Sequence, residues 1–490
     1  MRLLAAILAA ATASSAYAQG PETSPWDYEA ARDQPFGPGQ SIAFDIVVGS
    51  GDGAASLNRV QAELGPDWVA WREPGGPVQW VDMAERRILR LQGGDFTNIA
   101  LVAEARRRLD IYAALSRAGS LDEIQFGNAG RFHRVWLEAA MGVAARTGEV
   151  ALSETEFGFE ARFGGETVFS ADYGQAPGSL CGEARLDPKD RTALLTLIRH
   201  AIPIHPDAFD GLQARAELPC AFSFTVYSPD SPNGRFESWI LREGAGQPLP
   251  RPDSASADVL PQAELLGEAG ETAVSLVRID QAGAPDPMAF FADVQALRTE
   301  GDRVGAMLVT VQETHHFGPC PEEVIGTARL ACPEVRTLSA EADTDPALRQ
   351  FLEGLNAMAQ GDHARAVERM APFRLRNDRS GAAARILVAN ELVNWGREGL
   401  DARPDLDPAA MLSEALVLDP YAPDVYWYLG RRYLEAGAPH AAWTLFDLGR
   451  SLPGREPTPL LAQVDEIEAR IAVLAPDWLN PAETPDDPAQ

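Results

Sequence analysis

Residues 423–454 read PDVYWYLGRRYLEAGAPHAAWTLFDLGRSLPG, and their spacing decides the architecture of the last part of the chain. Tyr426, Leu429, Gly430 and Tyr433 fall on one face of a helix that stops at Gly437, and Ala442 and Phe446 form the inner stripe of a second helix. Gly430 and Ala442 are small where the two helices must approach each other closely.

Working outward, the same texture starts again upstream. In LRQFLEGLNAMAQGDHARAVERM, which begins at Leu348, Gly354, Gly361, Ala366 and Met370 take the places of Gly430, Gly437, Ala442 and Phe446. A middle copy is aligned on Gly396, with helix ARILVANELVNWG followed by AAMLSEALVLDPYAP. Repeat starts at Pro346-Ala347, Ala382 and Pro423 then lie close to a period of ~34 residues, with a small insertion containing Arg403-Pro404.

This region resembles the tetratricopeptide repeat family over residues 347–456, less than a quarter of the chain. The resemblance implies a stack over residues 341–476, closed by helix LAQVDEIEARIAVL from Leu461, that holds a protein or peptide partner. In that family the first helix of each unit lines the concave surface. Carried over, the binding positions are Phe351, Leu355 and Met358 in the first unit, Ile386, Asn390 and Asn394 in the second, and Trp427, Arg431 and Glu435 in the third. Asn amides both donate to and accept from an extended backbone, aromatic side chains anchor, and Arg431 suits a carboxylate. An alternative use of Phe351, Leu355 and Ile386 is packing against a neighbouring helix.

The chain opens with MRLLAAILAAATASSAYAQG, one Arg before an apolar run and Ala16-Tyr17-Ala18 at the end. That is the pattern of a secretory signal, residues 1–18, cleaved after Ala18, and it places the protein in the periplasm or outside the cell. The apolar run is shorter than the roughly 20 residues that cross a bilayer, so no membrane span is expected. With 42 basic against 71 acidic residues the net charge is -29, which repels phosphate backbones and excludes nucleic acid as a partner.

Between signal and repeats the period changes. Residues 19–40 read as an extended arm and 41–243 as an α+β domain of antiparallel strands and helices. Ile42, Phe44, Ile46 and Val48 alternate as in a strand, and DWVAWRE and PVQWVDMAERRILRL flank Pro74-Gly75-Gly76-Pro77 as two strands around a turn. Trp68, Trp71 and Trp80 lie there, as sheet core or as the wall of an apolar pocket. A helix is expected over residues 99–117, with Arg106-Arg107-Arg108 spread around its solvated face. For the hairpin at Gly164-Gly165, a three-residue loop, Gly164 to Glu166, keeps the apolar residues together by pairing Ala161 with Phe169 and Phe159 with Ala171. Residues 244–262 read as a Pro-rich linker, 263–340 as a mixed, mainly helical region, and 477–490 as a disordered tail.

Cys181, Cys220, Cys320 and Cys332 are an even number in an exported chain. Keeping each bond within one domain pairs Cys181 with Cys220 and Cys320 with Cys332. Glu313, His315 and His316 precede the second pair without convincing metal spacing, so neither a metal nor another cofactor is expected. His200 and His205 flank Pro203 and read as structural or surface residues. No G-x-S-x-G, H-E-x-x-H or phosphate loop is present. The sequence therefore points to an exported scaffold or adaptor and not to an enzyme. Two alternatives stand beside it: a periplasmic carrier of an apolar ligand in the tryptophan-rich domain, and a hydrolase with an unrecognised site.

Overall fold

The computed structural model describes residues 36–49, 57–92, 94–117, 133–143, 148, 150–174, 179–181, 184–228, 231–242, 246–252, 289–314, 328–342, 345–401, 407–450, 452 and 459–479. The chain divides into two compact units, Met1–Pro261 with Val464–Gln490, and Gln262–Gln463. The signal region, residues 263–288 of the mixed region, Cys320 and the tail from 480 lie outside the described residues. Among the described residues no helix is long and apolar enough to cross a membrane.

The first unit is built on an 11-stranded antiparallel sheet. Its strands are β1 (Gln40–Gly49), β2 (Leu57–Leu64), β3 (Trp68–Arg72), β4 (Val78–Asp82), β5 (Arg87–Gln92), β6 (Asp95–Ala100), β7 (Ala151–Glu154), β8 (Gly158–Phe163), β9 (Glu166–Asp172), β10 (Ala221–Ser228) and β11 (Ser231–Arg242). They lie in the order β6-β5-β4-β3-β2-β1-β11-β10-β9-β8-β7. Two meanders thus meet where β1 pairs with β11, Phe44 opposite Leu241 and Ile46 opposite Trp239.

Because side chains alternate across a pleated sheet, the register assigns the aromatics to faces. One face carries Phe44, Phe222 and Trp239, with ring centroids 5.4 to 6.0 Å apart, and Phe159 beside Phe169. Helix Pro206–Gln213 covers β7 and β8 on this side: a Cβ placed on its Gly211 would meet Leu152 and Phe159. The opposite face carries Trp68 stacked on Trp80, centroids 4.5 Å apart, together with Leu89 and Val78.

Two expectations change on this second face. Phe36, assigned to an extended arm, and Leu249, assigned to a linker that forms no core, both pack on the Trp68–Trp80 stack. The segment 246–252 crosses the sheet as a strap. Gln247 N donates to Gln61 Oε1, Leu249 N to Glu63 Oε2 and Trp80 Nε1 to Pro250 O, and Arg251 pairs with the buried Glu63. A Gly- and Pro-rich run lies flat because it carries few side chains that demand their own burial, so the composition that suggested a linker also suits a strap.

PVQWVDMAERRILRL is two strands, not one: Arg86, at φ 48, turns β4 into β5. Residues 99 and 100 belong to β6, and the helix is Leu101–Arg117. The hairpin at Gly164-Gly165 has the shorter turn. Phe163 pairs with Glu166, and both glycines have positive φ, 56° and 89°. The pairs Ala161–Phe169 and Phe159–Ala171 still form, because Val168 is the extra residue of a bulge that restores the register.

A disulfide joins Cys181 to Cys220, Cα atoms 5.6 Å apart. The expected Cys320–Cys332 pair falls outside the described side chains.

The second unit is helical. Pro346–Gln360 packs on His363–Met370, Arg379–Asp401 on Pro408–Leu418, and Pro423–Glu435 on Pro439–Arg450. Asp345 and Asp407 cap helix starts through backbone N–H groups, each followed by Pro at the first position, and Gly361 closes the first helix at φ 70. One contact recurs in all three pairs at the same sequence separation. A Cβ on Gly354 would meet Met370, one on Gly396 would meet Leu412, and one on Gly430 would stand 2.3 Å from the Phe446 ring. The preceding helices Ala289–Glu300 and Arg303–Thr314 are tied in by ion pairs of Arg379 with Asp293 and Glu313 and of Arg376 with Asp302.

The helix expected to close this stack does not belong to it. From Val464 the chain groups with the first unit. There Trp478, in the short helix Pro476–Leu479, lies 4.0 Å from the His200 ring and beneath Arg108. Val464 and Ile471 gave helix Ala462–Leu474 an apolar face; which unit that face would meet was not encoded in its spacing.

Candidate functional site

Two places gather surface chemistry. The first is the set of positions implied by the repeats. Phe351, Leu355, Met358 and Trp427 are buried, and Phe351 stands edge-on to Phe373 at 5.8 Å while Trp427 lies 5.6 Å from Phe446. Their side chains pack within the helical unit, which is the alternative left open for Phe351 and Leu355 and differs from the anchor role expected of Met358 and Trp427. Ile386, Asn390, Asn394 and Arg431 are half-buried and Glu435 is exposed, with Arg431 Nε 3.0 Å from Glu435 Oε1. Beside them His363 lies between two carboxylates, Nδ1 2.7 Å from Glu391 Oε2 and Nε2 3.4 Å from Glu398 Oε1. Burial pushes the Glu391 carboxyl up despite that imidazole.

The second place is a groove of about 460 Å³ in the first unit, between helices Leu101–Arg117 and Ala462–Leu474. Leu109, Tyr112, Ala113, Ile467, Ile471 and Leu474 supply its apolar surface, and Arg106, Asp110 and Arg470 its charges. The triple arginine does not form a solvated face. Arg106 pairs with Asp110, and Arg107 and Arg108 both pair with Glu104. Arg108 also donates to Ala140 O, and burial lowers its pKa from the ordinary arginine value although Glu104 opposes the shift.

The groove has a fixed floor. Tyr112 donates its phenol proton to Glu138 Oε1 at 2.8 Å, and His205 Nε2 stands 3.1 Å from Glu138 Oε2. Asp207 N donates to His205 Nδ1, which leaves Nε2 as the donor to Glu138. Glu138 and His205 are almost wholly buried. His200 is also internal, and burial, reinforced by the positive charges of Arg108 and Arg199, pushes its pKa down to about 3.

Comparison with family models, characterised proteins and solved structures finds no match. What the chain does must therefore be argued from these sites alone.

Among the described residues Asp172, Cys181 and Cys220 form one group with metal-ligating atoms close together. Both sulfurs are committed to the disulfide, and Asp172 accepts from Gly174 N, Ser179 Oγ and Leu180 N, so it organises the loop that carries Cys181. Sequence reasoning missed the groove because its walls are more than 300 residues apart in the chain. The available signal was a second apolar stripe on the later helix, Ile467 and Leu474, beside the buried Val464 and Ile471.

Proposed function

We propose that the protein is an exported interaction scaffold whose tetratricopeptide-like helix pairs hold a protein or peptide segment. The observation that carries this reading is the repeated close approach of Gly354 to Met370, Gly396 to Leu412 and Gly430 to Phe446. One supersecondary unit recurs three times in series, which is how helical repeat arrays build an extended surface. The aromatics expected as anchors are consumed by packing, so recognition rests on the accessible polar residues. Asn390 and Asn394 lie on helix Arg379–Asp401 and can pair with an extended backbone, and Arg431 can exchange Glu435 for a partner carboxylate.

The test is capture from an envelope extract by the full chain and by a triple variant, Asn390→Ala, Asn394→Ala and Arg431→Ala. The variant is expected to lose the captured partner while its Tm stays nearly unchanged, since the substituted residues lie at partly accessible positions. Undiminished capture by the variant would remove these helices as the binding surface.

The carrier reading at the tryptophans loses its support. Trp68, Trp71 and Trp80 are fully buried in sheet packing.

A further inference from the structure

We propose that the groove between helices Leu101–Arg117 and Ala462–Leu474 binds a monoanionic amphiphile, an acyl chain with one carboxylate. Its tail lies along Leu109, Ala113, Ile467, Ile471 and Leu474, and its head meets Arg470. This site lies in the first unit and is independent of the repeat reading.

Size selects a small ligand. At about 460 Å³ the groove falls in the range of roughly 300–1,000 Å³ typical of small-molecule sites. A stable protein partner covers about 800 Å² on each side, a broader and flatter footprint. The apolar surface is incompletely covered at the end of the later helix, where Leu474 is 62% and its neighbour Val473 81% exposed. Seating a hydrocarbon tail against Leu474 removes apolar area from water on both sides.

Charge selects the head group. The lining carries two arginines and one aspartate in a chain whose overall balance is -29. Arg106 and Asp110 neutralise each other at 2.9 Å. Arg470 is exposed, and among the described residues it has no ion-pair partner. The uncompensated charge of the lining is therefore a single positive one, which complements one carboxylate.

The floor is set before any ligand arrives. Tyr112 contributes its ring to the groove, and its hydroxyl is held by Glu138, which His205 holds in turn. A site whose side chains are already ordered loses less conformational entropy on binding.

The experiment titrates the purified full chain with 11-(dansylamino)undecanoic acid and, separately, with its methyl ester, following dansyl fluorescence. The wild type is expected to bind the acid saturably, one to one. Ala113→Trp fills the groove and Leu474→Asp places a charge at an exposed wall position where folding is not at risk. Each is expected to weaken the acid by at least about tenfold, and Arg470→Ala by about tenfold while leaving the ester nearly unaffected. Three results would overturn the proposal. The first is absence of saturable binding by the wild type. The second is equal affinity for acid and ester, or full affinity in Leu474→Asp. The third is sedimentation showing a dimer that Leu474→Asp dissociates, which would give the groove to a second copy of the chain.

Discussion

The two units solve the same problem, bringing small and large side chains together, over very different distances along the chain. In the helical unit Gly354, Gly396 and Gly430 each meet a partner on the next helix, as Gly430 meets Phe446. In the sheet unit the joining contact lies between β1 and β11, where Arg242 Nε reaches Asp45 Oδ2 across 197 positions of sequence. Burial pushes the Asp45 carboxyl up, but hydrogen bonds and charges from Arg242 and Arg59 outweigh it and hold it below the usual carboxylate range. The helical unit is thus assembled from neighbours, and the sheet unit is complete only when remote segments meet. Contacts of the first kind form fast and propagate; those of the second wait on loop closure.

The largest expected effect separates the units directly. Phe44→Ala and Phe446→Ala each remove a fully buried ring and are expected to cost about 3–5 kcal/mol. Calorimetry should show Phe44→Ala lowering one transition and Phe446→Ala a different one. A common shift of a single transition in both variants would mean that the units unfold as one, and the contrast would fail.

A smaller effect tests the repeat contact. Gly430→Ala forces the Phe446 ring to move and is expected to destabilise by about 1–3 kcal/mol. Gly354→Ala meets the flexible end of Met370 at 3.0 Å and should cost less than Gly430→Ala. Urea midpoints of the two variants, measured side by side, give the ranking. The reverse order would show that the three helix pairs are not equivalent.

A graded effect, small for any one step in pH, concerns a remote contact of the sheet unit, His200 against Trp478. The imidazole is held neutral in the folded state, with its pKa pushed down to about 3, while the unfolded chain takes up a proton near the ordinary histidine value of 6.5. Between those values the unfolded state binds more protons, so this contribution to stability is full above about pH 6.5 and is lost as pH falls. The slope is up to about 1.4 kcal/mol for each pH unit. His200→Phe should flatten the stability profile relative to wild type in that window. Parallel profiles would show that His200 is not held neutral.

How much could be read from the chain follows from the same contrast. In the helical unit the pairing of Gly354 with Met370 and of Gly430 with Phe446 was legible, because each glycine and its bulky partner lie within one short window; the Leu412 partner of Gly396 and the Asp345 cap were not read. The strand alternation of Ile42, Phe44 and Ile46 was legible too, but its pairing with β11 was not. The groove escaped for that reason: neither Leu109 nor Ile471 carries any mark of the other. The Gly164-Gly165 turn is an intermediate case. The apolar pairs were correct while the turn length was not, since an inserted Val168 in a bulge achieves the register that a longer loop would have given. Packing was already an open reading for Phe351, and only the burial of Trp427 was not anticipated, because groove-lining and core positions share one apolar composition.

The return of the chain to its first unit after Gln463 also sets an order of synthesis. Residues 262–463 are an insertion, threaded in and out of an already begun domain. Synthesis runs from the amino terminus, so the sheet can be laid down while the helical pairs are still being made. The contacts of Trp478 with His200 and Arg108 come later. Until those arrive, the His200 ring lacks its Trp478 neighbour and helix Leu101–Arg117 lacks the later helix that forms the other wall of the groove.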